Sequence, residues 1–308
     1  MEYPIDGILL VDKMEGETSY GVVKKVKSFF GGARVQKVGH AGTLDPFATG
    51  LLIILLGQGT KLSNFVMSGT KVYLAGIRLG IETDTMDHTG RVIGTSMVPD
   101  LSPEFIQETC QGFIGDIEQV PPAYSAVKYK GVRAYKLARR GLDVNLKGRT
   151  VTVHSLRIIA IDLPDITIEV SCSSGTYIRR LASDFGKKLG TGAHLRSLRR
   201  LASGPFEVRD AVVSREISNR NGCPLLREKV IPLGDAIPDM REIEVENVLA
   251  EKVQHGYQPT WEDLAKGTCD MGDGYARLVR NGNLIAVVKV NMSKEVDHGK
   301  IKIKRVFS

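Results

Sequence analysis

Asp45 is the residue around which chemistry could be built. It lies in "GHAGTLDPFATG", residues 39–50, between Gly42 and Pro46, with His40 earlier on the same loop. Glycine lets a backbone approach a ligand closely, and proline fixes the direction of the chain. A carboxylate presented in this way, and kept ionised, serves as a nucleophile or a general base. Arg179 in "CSSGTYIRR" supplies a cation, with Tyr177 on the same side of what reads as an extended segment. An arginine beside a carboxylate holds it ionised and oriented through a forked hydrogen bond. Tyr73 in "KVYLAG" adds an aromatic ring, which near a reactive carboxylate suits stacking on a nucleobase. Taken singly, each has a plainer explanation. Asp before Pro is common turn chemistry, an arginine is usually at the surface, and a tyrosine among apolar neighbours is usually core.

Other chemistries lack their parts. There is no G-x-x-x-x-G-K-[ST] phosphate loop, no G-x-G-x-x-G after a strand and no G-x-S-x-G elbow, and "GQGTK", residues 57–61, suits a turn. The cysteines stand at 110, 172, 223 and 269 without a C-x-x-C, and the histidines form no H-x-H or H-E-x-x-H. Neither a transition-metal site nor a disulfide framework is expected. What remains for an enzyme is a reaction without cofactor.

The charge pattern points to a polyanion. The net charge of +7 is uneven: residues 231–308 carry 11 basic and 12 acidic side chains, leaving +8 on residues 1–230. "VKYKGVRAYKLARRGL", residues 127–142, holds Lys128, Lys130, Arg133, Lys136, Arg139 and Arg140, two tyrosines and no acid. "AHLRSLRRL" adds Arg196, Arg199 and Arg200. Bases of one sign with aromatics between them suit a phosphate backbone and unstacked bases.

The elements that must position these residues are strands and helices without a regular βαβ period, which favours an α+β fold. "GILLVDK", residues 7–13, reads as a strand. "TSYGVVKKVKSFF" reads as a helix with Ser19 as N-cap, stopped by Gly31-Gly32. "LLIILL", residues 51–56, reads as a buried strand too short to span a membrane. "KVYLAGIRLG", residues 71–80, alternates as a strand does. Residues 102–115 read as a helix with Ser102 as N-cap and Pro103 in its first turn. "RTVTVHSLRIIAID" and "ITIEVSCSSGTYIRR" read as paired strands, and "RRLASDFGKKLG" as a following helix. Pro- and Gly-rich stretches between 220 and 240 mark a boundary, so residues 1–235 and 236–308 are expected as two domains. The second is expected to be small and β-rich, with a hairpin turn at Asn281-Gly282 or Gly282-Asn283 and a last strand in "GKIKIKRVFS". The N-terminus lacks the basic region of a secretion signal, so a cytoplasmic location is expected.

In order along the chain, "GHAGTLDPFATGLL", "KVYLAGIRLG.ETDTMD", "G.I.QVPPAYSAVK..G.RAYKLAR.G" and "CSSGTYIRRLA.D.G..LG.GAHL..LRR" resemble the successive motifs of the bacterial tRNA pseudouridine-55 synthases, the TruB family. The resemblance runs over about residues 5–210, and the tail resembles the small PUA-like RNA-binding domain that this family often carries. It implies a mixed, mainly antiparallel sheet. It also implies isomerisation of uridine to pseudouridine in the T-loop of tRNA, by a monomer needing no cofactor, metal, membrane, guide RNA or obligate protein partner. On this resemblance Asp45 matches the catalytic aspartate, Arg179 the arginine that pairs with it and Tyr73 the tyrosine that stacks on the flipped uracil. Asp87 matches an acid that shares the arginine, Tyr177 and Leu198 match pocket-lining residues, and His40 matches a histidine that displaces the target base. Lys13 matches a motif lysine near the same site. Attack on the uracil ring, attack at C1′ and removal of a sugar proton all remain open for Asp45. One departure is Met14, where the family pattern "DKP.G" has proline, and a looser turn is expected there.

Overall fold

The computed structural model describes residues 5–31, 35, 37–218, 226–264, 273–291 and 300–308. Its main sheet runs in the order Val212–Val213, Gly7–Lys13, Thr49–Leu56, Ala193–Ser203, Lys71–Leu79, Asp165–Cys172, Arg149–Asp162, Gly115–Gln119. The pairs 7–13/212–213 and 49–56/193–203 are parallel, and the other neighbours on this path are antiparallel. The fold is thus α+β with a mixed, mainly antiparallel sheet.

The residue pattern of each strand reports what covers it. In Lys71–Leu79 every second residue is buried and the others are half-exposed, as expected where one face meets the core and the other meets water. Tyr73, Ala75 and Ile77 face a core built with the helices Ser19–Phe29, Pro103–Gln111 and Ile178–Lys188. The run "LLIILL" has no such alternation because both of its faces are covered. Leu52, Ile54 and Leu56 join that helical core, whereas Leu51, Ile53 and Leu55 pack with Ala236, Ile237, Val287 and Phe307 of the C-terminal part.

The C-terminal part has its own four-stranded sheet, Arg241–Glu244, Gly274–Arg280, Asn283–Asn291 and Lys300–Val306. Its hairpin turns at Asn281 (φ 48°) and Gly282 (φ 75°), both in the region that a type I′ turn requires. The expected β-rich character holds, and the sheet is joined by the helices Asn247–Gln254 and Trp261–Leu264, which the sequence reading did not place. Residues 219–225, in the expected boundary, lie outside the described residues, as do Gly32, Cys223 and Cys269. No helix among the described residues is long and apolar enough to cross a membrane.

Two local expectations are corrected. The N-cap of the first helix is Thr18, whose hydroxyl accepts from the Gly21 N–H at 2.9 Å. Ser19 is the first helical residue, and its side chain is buried inward. Arg179 is not on an extended segment with Tyr177: the strand ends at Cys172, Tyr177 is the helix N-cap, and Arg179 lies in the first turn.

Candidate active site

The segment carrying Asp45 is a turn. Strand Val38–Ala41 runs antiparallel to Thr49–Leu56, and the chain between them folds back through Asp45-Pro46, closed by the Ala48 N–H donating to the Asp45 carbonyl at 3.1 Å. Proline at the second position of such a turn presets its φ. Leu44, Phe47 and Ala48 are buried beneath the loop, so the intervening Asp45 is turned the other way. The loop's backbone is tied down from several directions. The Ser19 hydroxyl donates to the Leu44 carbonyl at 3.0 Å and accepts from the Leu44 N–H at 2.9 Å. The Gly16 N–H and the Lys13 ammonium both donate to the Pro46 carbonyl, at 2.9 and 3.1 Å.

Behind Asp45 stands Arg179. Its Nε lies 2.9 Å from Asp45 Oδ2, and its Nη1 lies 3.6 Å from Asp87 Oδ2. The side chains of Arg179 and Asp87 are each 5% exposed, whereas that of Asp45 is 35% exposed. One carboxylate therefore opens outward while its partners are enclosed. Arg179 is itself anchored by donating to the carbonyls of Thr85 at 3.1 Å and Tyr124 at 2.9 Å. Its Nε makes no aligned hydrogen bond, and the donation from Nη2 to Asp45 Oδ1 is long at 3.5 Å. Charge, more than a locked fork, holds the pair. Asp87 is fixed by donors from the Thr85 hydroxyl at 2.8 Å and from the Thr89 N–H and hydroxyl at 3.0 and 2.5 Å. The polar segment "TDTMD" docks on strand Ala193–Ser203 through Leu195. Burial pushes the Asp45 carboxyl above its ordinary range; Arg179 opposes this, Asp87 adds to it and Lys13 opposes it.

Tyr73 and Leu198 come to the same core by register. Tyr73 is opposite Arg200 and Ala75 opposite Leu198 across the antiparallel pair. Burial pushes the Tyr73 phenol up, against the pull of Arg200. His40 sits on strand Val38–Ala41 with its Nδ1 buried and unpartnered, and burial pushes the imidazole below its ordinary value, with Arg200 adding to that. The backbone of Tyr177 is clamped by the buried Gln119, which accepts from the Tyr177 N–H at 3.0 Å and donates to its carbonyl at 3.4 Å. The Arg149 guanidinium lies 5.0 Å over the Tyr177 ring.

Lys128, Lys130, Arg133, Arg139 and Arg140 are exposed on a small excursion. It consists of the ribbon Lys128–Tyr129/Val132–Arg133 and the short helix Ala134–Ala138. The tyrosines between them carry cations on their rings, Lys130 on Tyr129 at 5.5 Å and Arg139 on Tyr135 at 5.6 Å. This excursion follows Tyr124, whose carbonyl anchors Arg179, so the basic surface and the carboxylate cluster are joined at one point of the chain.

Three expectations change. Arg200 does not face phosphate: it is 1% exposed and donates to the carbonyls of Leu51 and Gly42 at 2.6 and 3.0 Å. Lys13 stands next to the Asp45 loop, as expected, but as a buried side chain. It is 0% exposed, and its ammonium is spent on the carbonyls of Met14, Glu17 and Pro46. Met14 does not loosen its turn, since its N–H donates to Glu17 at 3.1 Å and to Ser214 at 3.2 Å, bonds a proline could not make. Arg199 pairs with Asp12 through two bonds, at 2.7 and 3.0 Å, and Arg196 shares Asp165 with Arg78. Ser19, Thr85, Thr89 and Gln119 carried no signal in the sequence as parts of a site, because each acts on backbone or carboxylate brought to it only by the fold.

Residues 29–178 match the model of the TruB family pseudouridylate synthase N-terminal domain, and residues 179–236 match that of the tRNA pseudouridylate synthase B C-terminal domain. Among curated relatives, the tRNA pseudouridine synthase B of Syntrophotalea carbinolica is 39% identical over 307 residues, covering 99% of this chain and 98% of that protein. The protein of the same name from Syntrophus aciditrophicus is 42% identical over 288 residues, covering 92% and 91%. A chain in a solved Cbf5–Nop10–Gar1 complex superposes with a TM-score of 0.76 at 24% identity, covering 98% of this chain and 85% of its own. A chain of an H/ACA RNP bound to a substrate RNA containing 2′-deoxyuridine gives 0.72 at 23% identity. These two establish the shared fold.

Proposed function

The chain belongs to the TruB family of pseudouridylate synthases and is an isomerase, and we propose that it converts uridine to pseudouridine at position 55 in the T-loop of tRNA, acting alone and without guide RNA. The observation that carries the mechanism is one outward-facing carboxylate, Asp45, backed by an enclosed arginine that is anchored on two carbonyls and a second carboxylate. In this reading the target uridine leaves its stack, at a cost of a few kcal/mol, and enters beside Asp45. Arg179 keeps Asp45 ionised against the burial that favours its neutral form. Tyr73, Tyr177 and Leu198 shape the apolar walls, and His40, neutral in its buried setting, fills the place left by the base. The C1′–N1 bond breaks, the uracil turns and C1′ bonds to C5; C5 gives up its proton and N1 takes one up, so the product is an isomer and no oxidant or reductant is consumed.

The excursion around residues 128–140 supplies exposed cations and tyrosines for the RNA backbone and unpaired bases. Residues 236–308 are proposed as a second, PUA-like RNA-binding domain, in a cytoplasmic protein that is monomeric. The stand-alone reading is supported by relatives that match nearly end to end, whereas the likeness to the Cbf5-containing complex speaks to fold. The test is direct. Purified protein and an unmodified tRNA transcript, with nothing added, should yield pseudouridine at position 55. No product would reject the stand-alone reading, and product at another uridine would reject the site.

A further inference from the structure

Arg200 is the largest fully buried side chain among the described residues. It lies where three strands meet, with Tyr73 opposite it on one side and Gly50 on the other. Its Nε and Nη2 donate to the carbonyls of Leu51 and Gly42, which bracket the Asp45 loop. Gly42 has φ +84°, and a Cβ there would stand 3.2 Å from Arg200 Nη1, so the chain leaves room for the guanidinium. Among the described ion pairs, none gives Arg200 a carboxylate partner. A buried cation without a counter-ion is costly, and an apolar side chain would serve packing alone better. Its charge instead bears on His40, Tyr73, Lys13 and Lys71.

We propose that Arg200 is a positioning residue for pseudouridine formation: its fork fixes both ends of the Asp45 loop against the Tyr73 strand, and its unpaired charge stands behind the pocket. The inference rests on the roles given above to Asp45 and Tyr73. It explains why an arginine in a basic run is withdrawn from solvent. The planar guanidinium holds two carbonyls in a fixed relative direction, which an ammonium on a flexible stem does not fix in the same way.

The test uses the full chain with Arg200→Lys and Arg200→Met, reading single-turnover pseudouridine formation on tRNA, tRNA affinity and the NMR titration of His40. Lysine keeps the charge and loses the bridge. Its rate should fall about 10–100-fold, the cost of a misplaced reacting group, with His40 titrating as in the parent. Methionine loses both, so its rate should fall at least as far and the His40 pKa should rise, because the neighbouring positive charge is gone. Affinity for tRNA should hold in both, since Arg200 has no surface to offer. An Arg200→Lys rate equal to the parent's would overturn the bridge, and an unmoved His40 in Arg200→Met would overturn the charge. If Arg200→Met does not fold, Arg200→Lys decides the bridge, and Arg200→Gln, neutral but polar, replaces methionine in the His40 titration that decides the charge. Were the parent itself inactive on tRNA, the functional reading would fail instead. The amide shifts of the 42–48 loop in Arg200→Lys would still decide the inference, unchanged shifts overturning it.

Discussion

Replacing Asp45 with asparagine separates a catalytic carboxylate from a structural one. The change keeps shape and removes charge. Two stability effects oppose each other. The attraction to Arg179 is lost, but with 35% of the Asp45 side chain open and its bonds misaligned, solvent limits that loss to about 1 kcal/mol. Against it, the folded protein no longer holds a carboxylate whose pKa burial has raised. The sign follows from linkage. A raised folded pKa means that the folded state binds this proton more tightly than the unfolded chain, so near neutrality the ionised Asp45 costs stability. As pH falls through the raised pKa, the parent sheds that cost, and the variant has no such dependence. The two effects have opposite signs, so the melting temperature of Asp45→Asn at pH 7 should shift by no more than loss of the pair alone would give, about 3 °C. Turnover should fall by at least about 1000-fold, as when an essential nucleophile is removed. Affinity for tRNA should hold or improve, because one negative charge has left a site facing a polyanion. The assays are thermal melting, pseudouridine release under single-turnover conditions and filter binding. In the parent, activity should decline on acidification at a pH above the ordinary carboxylate range, as Asp45 takes up its proton. A melting temperature lowered by more than about 6 °C, or a collapse of tRNA affinity, would refute the reasoning and make Asp45 a brace.

Lys13→Met should lower the melting temperature and leave tRNA affinity unchanged. It strips the carbonyls of Met14, Glu17 and Pro46 of a buried donor, at about 1–3 kcal/mol, yet touches no surface. A variant that melts like the parent but binds tRNA weakly would return Lys13 to the substrate side. Arg139→Ala with Arg140→Ala should flatten the dependence of log affinity on log salt by about 1.4–1.8, the release of two counterions. An unaltered slope would remove the excursion from the RNA surface.

The strands and the carboxylate loop were legible because their signals are local. Alternation in "KVYLAGIRL" places Tyr73 on the buried face, and Asp-Pro flanked by glycines states a turn whatever the rest of the chain does. The basic residues were harder, because charge alone does not say which way a side chain points. In "LRSLRRL" the strand period is broken by register shifts near Leu195 and Arg200. Arg196 therefore lies outside and Arg200 inside, a division that counting by twos from Leu198 does not give. The burial of Lys13 was hidden for a related reason: it ends a strand whose every residue but one is buried, and the carbonyls that receive it come from a turn 33 residues away as well as from its own. Motif residues of one charge thus divide into those on the surface and those that hold the Asp45 loop from within. Burial of the guanidinium or ammonium separates the two groups, and that burial is a property of the assembled sheet and not of any segment. The same distinction explains Ser19. As a helix cap its hydroxyl would serve its own backbone, but one position further on it faces inward and closes both hydrogen bonds of Leu44, so a helix start becomes a fixed support for the residue next to Asp45.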